Sequence, residues 1–524
     1  MNTLTRRLSA GATALGISLG AGLAVAQDGS TLRVVPYADL RNLDPIWTTA
    51  TITTTHGYMI YDTLFAMDEN FEPQPQMVGE FEVSDDNLTY TFSLRDGLSF
   101  HDGTAVTAED AVASLERWAA RDNMGGALME VTESLSVVDE DTFELVLSQP
   151  YGLVLESLGK PDGNAPFIMP AEVAATDPFE QIESYVGSGP FVFEEDAWVP
   201  GNKVVYSKFE DYVPRDEPPS GLAGGKVAKV DTVEWYYLPD PSTAIAALQN
   251  NEVDYYESPP IDLVPVLEAD GNIVVDQQDP YGLIVMMRPN HLHPPFDKKE
   301  ARQALSYMVD QTEYMTAMVG NPNLYQTCPS LMMCGTPVET SAGGGERMVT
   351  GDMERAQELM DQAYDGETVI VMHPTDHPSG PTALVTAAKL RELGVEVELQ
   401  AMDWATLTSR RASKNPPAEG GWNIFHTRTG TGAASPVSHL GVSAGDTAWF
   451  GWPQNEKIEE LRFAWASEPD PEKRAEIMDE LHVELMDYQP FVVVGQYQMP
   501  SAWRSNVEGV LEAPALAFWN VSVE

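Results

Sequence analysis

"KVDTVEWYYLPDPSTAIAALQNNEVDYY", residues 229–256, reads as a strand, a capped helix and a second strand. Strands joined through a helix are expected to lie parallel, since an antiparallel return needs only a tight turn. The stretch therefore places the chain in the α/β class. From about Tyr281 the same logic recurs. The strand "GLIVMMRPN" is followed by "PFDKKEARQALSYMVD", a helix whose Asp297 and Glu300 are spaced as a capping box. Then come a helix over 353–364, strand "TVIVM", a helix over 382–393, strand "VEVEL", a helix over 404–412 and strand "WNIFHT". This alternation predicts a second, largely parallel sheet with helices on its faces. No internal sequence repeat relates the two halves. The final strand, in "PFVVVGQYQMP", is expected to return the chain across a hinge, so that two crossings join the halves.

Upstream, "TLRVVPY" alternates as a strand. Tyr58, Tyr61, Leu64 and Phe65 recur at helical spacing, which predicts a helix from near Thr53 preceded by a polar, Thr-rich loop. In "YTFSLRDGLSFHDGTAVTAEDAV", residues 90–112, Tyr90, Phe92 and Leu94 face one side of a strand. Asp96-Gly97 and Asp102-Gly103 are turns around a short strand holding Phe100. Thr107 caps a helix with Val112, Leu115 and Ala119 on one side and acids in its first turn. The unit reads as scaffold. "VGSGPFVF" and "NKVVYSKFEDY" add a turn and strands, and "VPRDEPPSGLAGG" is a surface loop.

The N-terminus predicts export. Arg6 and Arg7 precede an apolar run to about Val25, and Ala24-Val25-Ala26 supplies small residues for cleavage, so residues 1–26 read as a signal peptide. The arginine pair leaves a twin-arginine signal open beside a general secretory one. The remaining roughly 500 residues exceed one hydrophobic core, which requires at least two lobes. The 80 acids against 30 Lys and Arg give a net charge of −50, and loss of residues 1–26 carries it to −52. Such a surface repels nucleic acid and anionic headgroups. Its acids are scattered rather than clustered, as on a hydrated surface suited to saline surroundings. The two cysteines, Cys328 and Cys334 in "CPSLMMC", are a disulfide pair or two buried thiols.

Catalytic and cofactor motifs fail on context. "GVSAG", 441–445, matches a nucleophile elbow on paper but lacks the flanking strand and helix, which leaves Ser443 a poor nucleophile. His291, His293, His373 and His377 stand among prolines that prevent a helical metal pair. "GLAGGKV" has Ser220 where a phosphate loop needs its first Gly and Val227 where it needs Ser or Thr. No enzyme activity, metal or cofactor is expected.

"LDP" at 43–45, "YDTLF", "YTFSLRDGLSFHDGTAVTAEDAV", "GSGPF", "LPDPSTAIAALQNNEVDY" and "PFDKKEARQALSYMVD" occur in one order over nearly the whole chain. In this the chain resembles the extracytoplasmic solute-binding proteins of family 5, the dipeptide- and oligopeptide-binding components of ABC importers. The resemblance implies a two-lobed α/β periplasmic-binding-protein fold of the class II, or cluster C, type with an extra subdomain on the first lobe. Its limits are expected at 27–284 for lobe I, with the subdomain over about 69–184, at 285–490 for lobe II, and at 491–524 for the return. It further implies a monomeric periplasmic receptor that encloses a small-molecule or peptide ligand and delivers it to permease subunits at the inner membrane. A nonpeptide polar solute such as an organic acid, sugar or conjugate is the alternative cargo, and a secreted hydrolase a more distant one.

Peptide-binding relatives hold the ligand's amino group with an aspartate after the strand matching "WNIFHT". Here no acid occurs from Asn423 to Gly445, and His426 and Arg428 stand there instead. Arg428 is thus a candidate for a ligand carboxylate, which guanidinium meets bidentately, against the reading of a solvated loop residue. Trp47, His56, Tyr281, Trp404 and Trp422 are the further cleft candidates by their expected places at strand and loop ends. Each is equally a type found in cores.

Overall fold

The computed structural model describes residues 30–524 apart from 376, 446 and 447; the expected signal peptide lies outside the described residues. The opening stretch forms strand Thr232–Tyr236, helix Pro241–Gln249 and strand Tyr255–Tyr256. Both strands run parallel to Thr31–Val35, one on each side of it. Asp240 accepts the Thr243 N–H at 2.8 Å and its hydroxyl at 2.7 Å, with Pro241 opening the helix, so both cap signals are used. The helix turns Ala244, Ile245, Ala247 and Leu248 onto Val35, Tyr256, Ile273 and Ala502, covering one face of the sheet. The opposite face joins the large core through Val34, Val233, Trp235 and Tyr206. This seven-stranded sheet runs Phe191–Phe193, Lys203–Lys208, Thr232–Tyr236, Thr31–Val35, Tyr255–Tyr256, Ser501–Arg504, Ile273–Asp276.

The second sheet has six strands, in the order Tyr325–Gln326, Val492–Tyr497, Leu283–Pro289, Ile424–Thr429, Val369–Pro374, Val397–Met402. It is mixed, which corrects the largely parallel expectation. Val369–Pro374 is parallel to both of its neighbours. Leu283–Pro289 is antiparallel to both of its own, and Tyr325–Gln326 to Val492–Tyr497. The cause is the hinge. Leu283–Pro289 brings the chain in from the first sheet and Val492–Tyr497 takes it back, so as neighbours they must point in opposite directions. Ile424–Thr429 then points the way the departing strand does, toward the first sheet. Sheet membership changes between Asp276 and Leu283 and between Tyr497 and Ser501.

Residues 78–147 include a four-stranded antiparallel sheet, Val78–Val83, Thr89–Leu94, Thr142–Leu147 and Thr132–Val137. Tyr90, Phe92 and Leu94 are the buried positions of strand Thr89–Leu94. Gly97 and Gly103 carry the turns at φ +82° and +84°. The Thr107 N–H and hydroxyl both donate to Asp110 at 2.8 Å, closing the start of helix Ala108–Ala119. That helix buries Ala111, Ser114, Leu115 and Trp118, while Val112 and Ala119 are half-buried.

Two local expectations change. The helix after the first strand is Thr51–Ile60, so part of the Thr-rich run lies inside it. Thr55 donates to Thr51 O at 3.1 Å and Thr53 to Asn42 O at 2.9 Å, which lets these hydroxyls be buried. The helix stops at Ile60, whose carbonyl accepts the Gly189 N–H at 2.9 Å, and Leu64 and Phe65 are buried from extended chain instead. Helix Lys299–Met308 has no side-chain cap, so the Asp297–Glu300 box does not form. The Arg302 guanidinium holds that turn through the carbonyls of Phe296, at 3.0 Å, and Asp297, at 3.2 Å.

Two buried ion pairs join segments far apart in the chain. Asp44, of the "LDP" triplet, receives Arg117 at 3.2 and 2.8 Å and the N–H groups of Ile46, Trp47 and Ile182. Lys226, from the failed phosphate-loop motif, bonds Asp62 at 2.7 Å with both side chains fully buried, and Tyr212 donates to the other carboxylate oxygen at 2.7 Å. Burial alone would raise the Asp62 carboxyl, but Lys226 beside it holds it below its usual range. Lys226→Met leaves that carboxylate buried without its cation. It is expected to cost about 3–5 kcal/mol, read as a lower denaturant midpoint. An unchanged midpoint contradicts the assignment.

Cys328 and Cys334 are joined by a disulfide with Cα atoms 5.8 Å apart. The loop between them is read by side chains. His482 accepts the Leu331 N–H at 2.9 Å and His439 bonds Leu331 O at 3.2 Å, while Gln311 and Gln496 bond both backbone groups of Cys328 and Cys334. Among the described residues no helix is long and apolar enough to cross a membrane.

Burial holds His56, His426 and His439 at about 3 and His101 at about 4. The unfolded chain protonates each near 6.5, so below that value it binds more protons than the folded chain and stability falls with pH. Each group contributes a slope of about 1.4 kcal/mol per pH unit until its folded value is reached. Two half-buried carboxyls raised to about 7 and 6, Glu257 and Asp279, act in the opposite sense and are outnumbered. The melting temperature is expected to decline steadily from pH 6.5 to pH 4.5, and a flat profile contradicts this account.

Candidate ligand-binding cleft

The carboxyl ends of parallel strands are where ligands meet α/β sheets, because loops and helix starts converge there. Tyr37 follows Thr31–Val35 and Glu257 follows Tyr255–Tyr256, and parallel pairing brings them together. The Tyr37 N–H donates to Glu257 Oε2 at 2.8 Å. From the second sheet, Ile424–Thr429 delivers Arg428, Thr429 and Gly430 to the same place. These groups enclose a cavity of about 330 Å³ with Thr51, Thr55, Gln278, Asp279, Gly282, Met499 and Ser501, so both lobes and both hinge passages contribute.

Its electrostatics are divided between the walls. Burial raises Glu257 to about 7, against the pull of the Tyr37 N–H. Burial raises Asp279 to about 6, against the N–H groups of Tyr281 and Gly282. Facing them, Arg428 Nη1 donates to the Tyr497 hydroxyl at 2.7 Å and lies 3.2 Å from Met499 Sδ. Among the described residues no carboxylate stands within ion-pair distance of Arg428, and no cation within that distance of Glu257 or Asp279. The Tyr37 hydroxyl is raised by burial and by Glu257 and is opposed by Arg428, which places it in the field of both walls.

The hinge frames this cavity. Gln496 donates to Tyr281 O at 2.6 Å, Gln498 to Pro280 O at 3.1 Å, and Ser501 Oγ to Glu257 O at 2.7 Å. Gly282, at φ +68°, lies so close to Tyr497 O that a Cβ there would collide with it. Beyond Gly430 the chain lines a second interlobe cavity, of about 240 Å³, through Thr431 and Ala434. Its walls are mainly apolar, with Met67, Phe71, Leu153, Val338, Trp465 and Met478, and its Lys160 is occupied by Asp122 at 2.7 Å and Asp162 at 3.4 Å.

Of the residues nominated from sequence, Arg428 alone lines the first cavity. His56 and His426 are fully buried, His56 on the Tyr206 hydroxyl at 2.9 Å and His426 on Thr386 at 2.9 Å. Trp422 is a core residue packed on Phe425, donating to Arg411 O at 3.1 Å. Trp47 is half-buried and donates to Phe179 O at 3.1 Å, away from the cavity. Trp404 stacks on His377 with ring centroids 3.8 Å apart at the start of its helix. Tyr281 is buried beside the hinge, packing edge-on against Phe71 and reaching Glu69 O at 3.4 Å. Glu257, Asp279 and Tyr37 were not nominated. The signal for Glu257 and Tyr37 was present, since each stands within two residues of the end of a strand of the parallel pair.

Residues 441–445 are turn and irregular chain, with no strand-to-helix elbow at Ser443. Among the described residues no group of three or more His, Cys, Asp or Glu side chains is placed to hold a metal ion.

Two lobes around a cavity at a double-stranded hinge define a solute-binding receptor fold. The sequence profile of the bacterial extracellular solute-binding proteins, family 5, matches residues 72–487, and the chain belongs to that family. It is 41% identical over 509 residues to a protein of Sinorhizobium fredii named a probable peptide ABC transporter periplasmic-binding protein, covering 96% of this chain and 95% of that one. Among solved structures it is similar to the periplasmic binding protein AgaA of A. tumefaciens R10, in complex with agropinic acid. That match has TM-score 0.76 and 22% identity, and covers 94% of this chain and 99% of the other. It is similar also to a dipeptide-binding protein of a Pseudoalteromonas species in complex with Met-Leu, at TM-score 0.76 and 18% identity, covering 94% and 100%.

The lobes also touch away from the hinge. Arg474, of helix Pro471–Tyr488, donates to Gly152 O at 2.8 Å and Glu156 at 2.9 Å, and Gly152 N–H donates to Ala466 O at 2.7 Å. The ion pair is partly exposed, which limits it to about 0.5–1 kcal/mol. Glu156→Gln is expected to shift the ligand-free protein toward the open form, raising its radius of gyration in solution scattering. An unchanged radius argues that this contact does not bias closure.

Proposed function

We propose that this chain is the periplasmic receptor of an ABC importer. Exported with residues 1–26 removed, it captures a peptide or peptide-like solute between its lobes and hands it unchanged to the permease. The observation that carries the reading is the cavity of about 330 Å³, walled by the carboxyl ends of strands from both sheets and floored by both hinge passages. A ligand there gains contacts to both lobes only when they close, so binding shifts an open–closed equilibrium that a membrane partner can sense. The peptide assignment draws support from the name of the Sinorhizobium relative. The absence of an elbow at Ser443 supports capture without turnover.

A second cargo class, a nonpeptide polar conjugate, is favoured by one observation. The interval from Asn423 to Gly445 has no acid, and Arg428 stands on that wall instead. The structural relative with agropinic acid shows such a ligand in this fold, in that protein.

Native mass spectrometry of gently purified protein is expected to show a copurified small solute, and that solute to raise the melting temperature and be recovered chemically intact. Arg428→Ala is expected to weaken its binding at least tenfold. A broad panel of peptides and metabolites that leaves melting and scattering unchanged, with no copurified solute, would remove the receptor reading. A solute recovered cleaved would restore the hydrolase.

A further inference from the structure

We propose that the solute is a small zwitterion, its cationic group held between Glu257 and Asp279 on the first lobe and hinge, and its oxyanion held by Arg428 on the second lobe. The inference rests on the receptor reading above and names its substrate class.

Three observations converge. The first is the environment of Arg428. Among the described residues no carboxylate lies within ion-pair distance of it, and its guanidinium meets a tyrosine hydroxyl and a thioether sulfur at the cavity wall. Guanidinium keeps its charge in any protein setting, so it leaves an oxyanion-binding fork open to the cavity. The second is the facing wall. Glu257 and Asp279 border the same cavity, held by backbone N–H groups and by no cation within ion-pair distance. Burial without a counter-charge pushes both carboxyls up, to about 7 and about 6, and an incoming cation reverses that cause directly. The third is size. About 330 Å³ is the small end of ligand pockets, enough for an amino-acid conjugate or a dipeptide and too small to enclose a long peptide.

The arrangement also fixes polarity. The strand end on the second lobe carries Arg428 and no acid as far as Gly445, so the anionic end of the solute faces that lobe. The cationic end faces the first lobe, where Tyr37 lies in the fields of Glu257 and Arg428 and Tyr255 reaches the cavity wall through Gln278. Closure then brings one charge of the solute against each lobe, and a molecule with a single charge satisfies one wall and leaves the other unpaired.

The linkage has a sign. At pH 5.5 the two carboxyls hold protons that a bound cation must displace, whereas at pH 8 both are ionised. Affinity for a zwitterion therefore rises with pH across this range. The test uses the full mature chain and defined probes: the amino acids, a set of dipeptides with free termini, the same dipeptides N-acetylated or C-amidated, sugars and dicarboxylic acids. Thermal shift and calorimetry are run at pH 5.5 and 8. The expected result is binding by at least one free zwitterion, a loss of tenfold or more on capping either end, and a gain of fivefold or more in affinity on going to pH 8. Glu257→Gln is expected to flatten the pH dependence, and Arg428→Gln to weaken binding while preserving it. The capping and pH arms use the unaltered protein, so a variant that fails to fold does not remove the test. Binding of a sugar or dicarboxylate in place of zwitterions, or equal binding of capped and free dipeptides, overturns the inference and leaves the receptor standing. Silence across the whole panel, with no copurified solute, overturns both.

Discussion

The cleft depends on two short lengths of chain that pass side by side between the sheets, from Asp276 to Leu283 and from Tyr497 to Ser501. A single passage would let the lobes twist; two adjacent passages restrict the motion to bending. Side-chain amides and a hydroxyl fasten the passages to their surroundings, through Gln496 on Tyr281 O, Gln498 on Pro280 O and Ser501 on Glu257 O. The same constraint dictates the second sheet. One strand must enter and its neighbour must leave, and Ile424–Thr429, pairing beside the entering strand, is thereby aimed back at the first lobe with Arg428 near its end.

How much of this was legible follows from the range of the interactions involved. The crossover at 229–256, the unit at 90–112 and the alternation after Tyr281 are written in local periods, caps and turns, and the structure keeps them apart from the Asp297–Glu300 cap. Direction within the second sheet is not local. Nothing in "GLIVMMRPN" or "PFVVVGQYQMP" states that the two will be neighbours, so the alternation of strands and helices was read as parallel throughout. The Thr-rich start of Thr51–Ile60 was obscure because threonine loses its bias against burial once its hydroxyl finds a carbonyl. The end of that helix is set by Gly189, far along the chain.

The site was legible in part and for a physical reason. Arg428 could be nominated because it breaks a pattern, standing in an acid-free interval of an acidic chain. The aromatic candidates rested on residue type, and Trp or His is buried by packing as readily as by ligand. Glu257 and Asp279 were hidden by abundance, being two of 80 acids. What separates them from the others is the loss of water without the gain of a cation, a property that exists only once the chain has folded.

The contact between Gly282 and Tyr497 O has a consequence for the mobility of the whole receptor. The two passages run this close because residue 282 has no Cβ and takes a φ of +68°. Any side chain there would act as a wedge between them. A substitution at that point would splay the hinge even where every group that lines the cavity is intact.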